Sequence, residues 1–387
     1  MKAFLHIGTE KTGTTTIQSF LAKNRSCLLR DGFLYPKSPG ETNHIKLVAF
    51  SLNLNDLEDV KKHLHGLDYL SILNPEKIDD FRKTFQQDLE KETSSAEAQT
   101  VILSSEHCSS RLIRIEEINI LKSLLKNFFE EIKIIIYLRR QDQLLLSSYS
   151  TQVICDGRTQ PLDMPNKQVI ERYYDYQAIL KKWGQVFGQE NIIIRPFERK
   201  QMIKDDLLYD FARVIGFTID NDYEMVPNLN ESYSIESLEF LRNMNFHIAR
   251  YAGNRLNPER RKLFHYLKAY TGHSYSLLSE EDRREFLDRF KVSNTYISKH
   301  YLNSGEEQLF KEEVLNSDAD IFSEFEVERV FEIFAYLWRQ QYQEVCSLER
   351  ENQRLARELN KLSRFKKLFY ILNPRLWLSR LIGLFKS

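Results

Sequence analysis

Cysteine is scarce: Cys27, Cys108, Cys155 and Cys346 are scattered through 387 residues with no CxxC pair and no His/Cys ligand spacing. That pattern excludes a disulfide framework and a structural zinc site and points to a reducing compartment, the cytoplasm. An excess of one charge is missing too, because 55 Lys and Arg balance 55 Asp and Glu. With no global basic field there is no case for nucleic acid, and any anion site must be a local cluster. Long apolar runs are also lacking. No stretch reaches the roughly 18 uninterrupted apolar residues of a membrane span. The opening "MKAFLHIG" is too short for a signal peptide and leads straight into a loop, so it reads as a first strand.

What is present is an alternation of strand and helix. "AFLHI" (3–7), "TVILSS" (100–105), "IKIIIYL" (132–138) and "NIIIRPF" (191–197) read as buried strands of a parallel sheet. "TTIQSFLAKNRSCLL", "QDQLLLSSYSTQVI" and "DDLLYDFARVIG" supply helices between and after them. The expected fold is α/β, a P-loop three-layer sandwich with a central parallel sheet and a helical C-terminal extension. We expect a core over 1–230, a helical part of the same catalytic unit over 231–325, a long helix over 326–363 and a basic amphipathic tail over 364–387.

The C-terminal part changes character twice. Between Trp338 and Leu362, Val345, Asn352 and Leu359 fall at a positions and Leu348, Leu355 and Leu362 at d, a short heptad seam with one Asn. Two readings stand open: a parallel two-stranded coiled coil that makes a homodimer, and a single amphipathic helix packed on its own domain. The tail carries Arg364, Lys366, Lys367, Arg375, Arg380 and Lys386, no acid, and Trp377 among aliphatic residues. Such a segment suits the plane of an anionic membrane surface, which would make the protein peripheral on the inner face; docking on the protein body is the alternative.

The chemistry starts in "HIGTEKTGTTTIQ" (6–18). Gly8 and Gly13 have Walker spacing, but Thr14 stands at the lysine position and Lys11 lies two residues before the second glycine. Strand, glycine turn and helix still form an anion nest from backbone N–H groups, to which Thr12, Thr14, Thr15 and Thr16 add hydroxyls. A compact ammonium at the mouth suits a phosphate that leaves as a bond breaks. Helix capping is the plainer role for the threonines. At the end of the third strand, Arg140 with Ser148 eight residues later supplies an arginine fork and a hydroxyl for a second phosphate. Taken alone, Arg139 and Arg140 also read as surface charges, and Ser147 and Ser148 as ordinary helix residues.

Together, "EKTGTT" and "YLRRQDQLLLSSYS" resemble the paired signatures of the sulfotransferases that use 3′-phosphoadenosine 5′-phosphosulfate (PAPS). The resemblance implies that Lys11, Thr12, Gly13, Thr14 and Thr15 hold the 5′-phosphosulfate, and that Arg140 and Ser148, followed by Tyr149, hold the 3′-phosphate. "YQAILKKWGQVFGQENIIIRPFER" and "YISKHYLNSGEEQLF" are similar in style to bacterial carbohydrate-type sulfotransferases. The resemblance is specific over about 1–220, thinner to 310 and absent from the tail. It implies sulfuryl transfer from PAPS to a hydroxyl or amine of a glycan or glycolipid, release of the bisphosphate PAP, and no metal.

The transfer needs a base within reach of the acceptor. Glu106, at the end of the second strand, ranks first and His44 second, with His107 and Glu41 behind. Tyr173, Tyr174 and Tyr176 read as helix packing, and Arg195 is left undecided. Two other classes compete: a P-loop nucleotide kinase or NTPase, against which the missing GK[ST] counts, and a non-catalytic scaffold with a vestigial loop.

Overall fold

The computed structural model describes residues 1–53, 77–226, 233–253, 255–302, 308–311 and 320–372, with side chains described as far as 362. Five strands form one all-parallel sheet: β1 (Lys2–His6), β2 (Phe33–Leu34), β3 (Thr100–Ser104), β4 (Glu131–Leu138) and β5 (Ile192–Pro196), in the order β2-β3-β1-β4-β5. Four are the expected strands. The fifth, β2, is a two-residue edge between Gly32 and the "YP" turn, too short to show a period of its own.

Side-chain alternation divides the sheet between two cores. Ala3, Leu5, Ile7, Leu103, Ile134 and Ile136 join one cluster, while Phe4, Ile102, Ile135 and Tyr137 join the other. The helices that matter below are α1 (Thr14–Lys23), α2 (Ile78–Ser95), α3 (His107–Arg111), α4 (Ile115–Lys126), α5 (Gln141–Thr151), α6 (Tyr176–Phe187), α7 (Leu207–Ile215), α8 (Ile235–Met244), α9 (Pro258–Lys268) and α10 (Val327–Leu372). Helices α2, α4 and α6 pack into the first cluster, and α1 and α7 into the second, through Ile17, Phe20, Leu208 and Phe211. The result is the expected three-layer α/β sandwich. Because every sheet-forming run is parallel and covered on both faces, the Ile-rich runs show no polar alternation.

Local signals set the ends of these helices. Asp206 caps α7, accepting from the backbone N–H of Leu208 at 2.8 Å and Tyr209 at 3.2 Å, and Gly216 closes it at φ 102°. Asp175 caps α6 in the same way. The Arg195 guanidinium binds Asp210 on α7, which also accepts from the Tyr137 hydroxyl at 2.8 Å, so Arg195 ties β5 to the second layer.

The chain divides into two compact units, Met1–Arg250 with Gly272–Phe322, and Tyr251–Thr271 with the chain from Ser323 onward. In the second unit α9 packs against the first half of α10, with Tyr336 donating to the Tyr266 carbonyl at 3.1 Å and Lys262 paired to Glu344 at 3.0 Å. No described helix is long and apolar enough to cross a membrane. The tail reading for 364–387 falls on residues whose side chains, and from 373 whose backbone, lie outside the described residues.

Candidate active site

In open parallel sheets, ligands sit beyond the carboxyl ends of the strands. Here four strands deliver their following residues to one cavity of about 910 Å³: Lys11 and Gly13–Thr16 after β1, Glu106 after β3, Arg139 after β4 and Phe197 after β5.

The loop after β1 turns three times through the left-handed region, at Gly8 (φ 75°), Lys11 (φ 64°) and Gly13 (φ 72°). At the two glycines a side chain would also meet close neighbours, at Gly8 the Glu106 Cβ and backbone and at Gly13 the movable end of Leu207. A Cβ on Gly8 would lie 2.6 Å from the Glu106 Cβ, and one on Gly13 would lie 2.3 Å from Leu207 Cδ2. The loop is therefore folded tightly against both the candidate base and helix α7. Gly13 at the N-cap of α1 has no side chain to occupy the first-turn N–H groups, which leaves them free to act as an anion cradle with Thr14, Thr15 and Thr16 around it. Thr12 does not join them. Its side chain is fully buried and donates to the Thr9 carbonyl at 2.6 Å, so it braces the loop from inside.

Lys11 is half-buried on the cavity wall. Burial lowers its pKa, and the neighbouring Arg139 cation acts in the same direction. Beside it, Glu10 sits with Oε1 2.6 Å from the Ser110 hydroxyl, 3.1 Å from Arg111 and 3.7 Å from His107 Nδ1. Burial would raise this carboxyl, but His107, Arg111 and Ser110 outweigh it and hold it down at about 2. His107 thus faces an acid of the protein itself.

Glu106 is pinned by two amides. Its Oε2 accepts from Gln18 Nε2 and from Asn43 Nδ2, each at 2.7 Å, while Oε1 carries no hydrogen bond among the described residues. Asn43 is set in turn by Ser105, whose hydroxyl donates to Asn43 Oδ1 at 2.8 Å. Behind Gln18, the Ser104 hydroxyl lies 3.3 Å from Gln18 Nε2 and 2.9 Å from His6 Nδ1. His6 is wholly buried beside Tyr137 and Phe211, and burial lowers it to about 3, so it is a neutral end to the network.

Three expected site residues lie elsewhere. Arg140 is buried at 6% exposure and forks onto Asp142, with Nε at 2.7 Å from Oδ1 and NH2 at 3.0 Å from Oδ2; Arg283 joins the same carboxylate at 3.2 Å. Ser148 lines an adjoining cavity of about 280 Å³ that shares Glu10, Lys11 and Thr151 with the large one. It is Arg139 and Ser147 that face the large cavity, with the same eight-residue spacing. Arg139 donates to the Lys11 carbonyl at 2.9 Å and lies over the Phe197 ring, its position fixed from two sides. The helical period explains the shift: Gln143, Ser147, Ser150 and Ile154 share the cavity face, whereas residue 148 is turned about 100° away. Tyr149 is buried, with its hydroxyl on Glu239.

His44 is the third. It is fully buried, stacked on Tyr35 at 4.3 Å between ring centroids, with Nδ1 accepting from the Ser104 N–H at 3.2 Å and its own N–H bound to the Ser104 carbonyl at 2.9 Å. Burial takes it down to about 3. It seals the end of β3 and cannot meet an acceptor. Glu41, the fourth candidate base, is exposed outside the cavity lining.

Apolar side chains also line the cavity, beginning at the loop itself. Phe197, Met202, Leu207, Leu208, Met225 and Val226 form a wall beside the exposed Arg199. A cradle of backbone N–H groups with an apolar wall beside it suits a nucleotide.

No family model matches the chain. Over 186 residues it is 28% identical to an uncharacterized protein of Archaeoglobus fulgidus, a match covering 47% of this chain and 49% of that protein. The chain thus spans about half the length of the curated relative it matches. Among solved structures it is similar to a sulfotransferase from Alicyclobacillus acidocaldarius (TM-score 0.34, 15% identity, covering 63% of this chain and 94% of that one). It is also similar to the sulfotransferase domain of the Synechococcus PCC 7002 olefin synthase (0.33, 15%, 70% and 96%) and to a sulfotransferase domain from the curacin biosynthetic pathway (0.34, 13%, 70% and 98%). TM-scores of 0.33–0.34 make these likenesses only. The functional reading rests on the site's own geometry.

Proposed function

We propose that the chain is a sulfotransferase that moves the sulfuryl group of PAPS onto a hydroxyl or amine of a glycan or glycolipid. The observation that carries the proposal is one cavity that gathers Lys11 and the first turn of α1, the neighbouring Arg139 with Ser147, and a tethered carboxylate, Glu106. A Walker loop sets its lysine on the terminal phosphates of a triphosphate, and here Thr14 stands at that position while the cations of the cavity are Lys11 and Arg139.

In this reading Glu106 Oε1 takes the proton of the acceptor as the acceptor oxygen or nitrogen bonds to sulfur. The bond from sulfur to the bridging oxygen breaks, and the electron pair stays on the 5′-phosphate of the leaving bisphosphate. Lys11 and the N–H groups of Thr14–Thr16 meet the charge that develops there. Gln18 and Asn43 keep the Glu106 carboxylate from rotating away. Glycan and glycolipid acceptors follow from the resemblance of the motifs, and the glutamate at the base position agrees with it.

The test is to incubate the protein with PAPS and a panel of glycans and lipids and to follow acceptor mass and PAP release. We expect a sulfated product that disappears in Glu106→Gln and Lys11→Ala. Intact PAPS with every acceptor, together with magnesium-dependent consumption of ATP, would overturn the proposal.

A further inference from the structure

Among the described residues, helix α10 finds packing partners over only its first half. Its first half rests on α9 through Tyr336, Gln340 and Glu344, yet from Ser347 to Leu362 every residue is exposed, whichever way it points. Of the two readings left open, packing on its own domain therefore finds no support over 347–362 among the described residues. The apolar stripe is also longer than the three heptads first seen. Counting back from Val345 in sevens puts Trp338 and Phe331 at a, and Leu348 gives Phe334 and Val327 at d, with Gln341 the polar exception. Exposure of its apolar residues runs from 46% at Leu355 to 72% at Val327. The stripe covers 36 residues, 327–362, about 54 Å of helix at 1.5 Å per residue.

We propose that this stripe is a dimer interface whose occupant is α10 of a second copy of the chain, parallel and in register. Three features favour that partner. First, a strict seven-residue repeat with Val345 at a and Leu348, Leu355 and Leu362 at d is the pattern that two-stranded parallel coils use, and an identical copy supplies the matching repeat. Second, Asn352 stands at a within the apolar seam. Buried against aliphatic residues its amide would lose its hydrogen bonds, whereas in a parallel, in-register pair it faces its own counterpart, donor to acceptor. Third, the flanks permit the pairing. Of the g-to-e′ contacts, Glu351 faces Ala356, Leu337 faces Tyr342 and Val330 faces Ala335. The one like-charged pair is Glu344 with Glu349, and Glu344 is already neutralised by Lys262 and bound by the Tyr266 hydroxyl. Closing the stripe would bury on the order of 1,000 Å² per copy, within the range of stable dimers.

The full-length chain is to be studied by sedimentation, beside Leu355→Arg, which alters only an exposed position and leaves nucleotide binding as a control of folding. We expect twice the chain mass for the parent and the single mass for Leu355→Arg, with equal PAP affinity in both. On a Cys346→Ser background, Val345→Cys and Leu359→Cys should each crosslink to their own counterparts on oxidation. An antiparallel pair can bring at most one of them opposite itself, so a single crosslink would overturn the parallel arrangement. A monomeric parent, an oligomer that survives Leu355→Arg, or a chain that stays monomeric and binds anionic vesicles through the same leucine would overturn the dimer.

Discussion

At the scale of single residues, neighbours in sequence carry opposite duties. Arg139 and Arg140 are adjacent, but one lines the cavity and the other holds a buried carboxylate. Arg139→Ala should raise the dissociation constant for PAP by roughly 10- to 100-fold, the loss of one charge-assisted contact of about 1.5–3 kcal/mol, with the fold intact. Arg140→Ala should instead leave Asp142 short of its nearer cation and cost about 3 kcal/mol of stability, read as a lower urea midpoint. Finding the reverse would restore the sequence-based assignment. Serine spacing could not choose between them, since 139 to 147 and 140 to 148 are both eight; the available clue was Asp142, placed two residues after Arg140 to bind it. His44 misled for a related reason. Pro, Gly and Asn around it signalled a loop, and nothing in the sequence showed that the loop is drawn under Tyr35.

Buried histidines also set an acid limit. His6 and His44 lie at about 3 in the fold, below the value near 6.5 of an unfolded chain, so on the acid side the unfolded state binds more protons. Their contribution is intact above about pH 6.5 and is lost as pH falls from there toward 3. Glu10, lowered to about 2, adds a loss below about pH 4.5. Urea midpoints should therefore decline between pH 7 and pH 5, and His44→Phe should flatten part of that slope. A midpoint that does not change over this range would contradict neutral burial of both rings.

At the scale of elements, the site depends on how tightly the β1–α1 loop approaches β3. Gly8→Ala would need both a left-handed backbone and 2.6 Å between Cβ atoms, so the strain falls on Glu106. Turnover should fall at least 100-fold while PAP binding changes far less, because the base moves and the anion cradle stays. Gln18→Leu should act similarly but more mildly, lowering kcat with little change in KM, since Gln18 positions the carboxylate without touching the donor. The main strands and the site-bearing helices were legible because each is a continuous Ile-rich run or a 3.6-residue stripe ending in a loop with its own signature. The edge strand β2 was not, as two residues carry no period. Neither Gln18 nor Asn43 was legible as a site residue, because an amide that orients a carboxylate has no spacing relation to it; they meet Glu106 across 88 and 63 residues of chain.

At the scale of the whole molecule, the large cavity and an apolar helical seam exposed among the described residues belong to different units of the chain. The heptad pattern was visible in the sequence over three repeats, but its full length was not, since the polar Gln341 at a d position breaks the seam before Phe334 and Phe331, which the structure leaves exposed. The account turns on the large cavity binding a nucleotide bisphosphate through Lys11, the first turn of α1 and Arg139. Titration calorimetry of PAP, with ATP as the comparison, tests that most directly. The account predicts saturable PAP binding without magnesium, weakened by Arg139→Ala and by Lys11→Ala and unaffected by added magnesium. Magnesium-dependent ATP binding with no heat from PAP would contradict it.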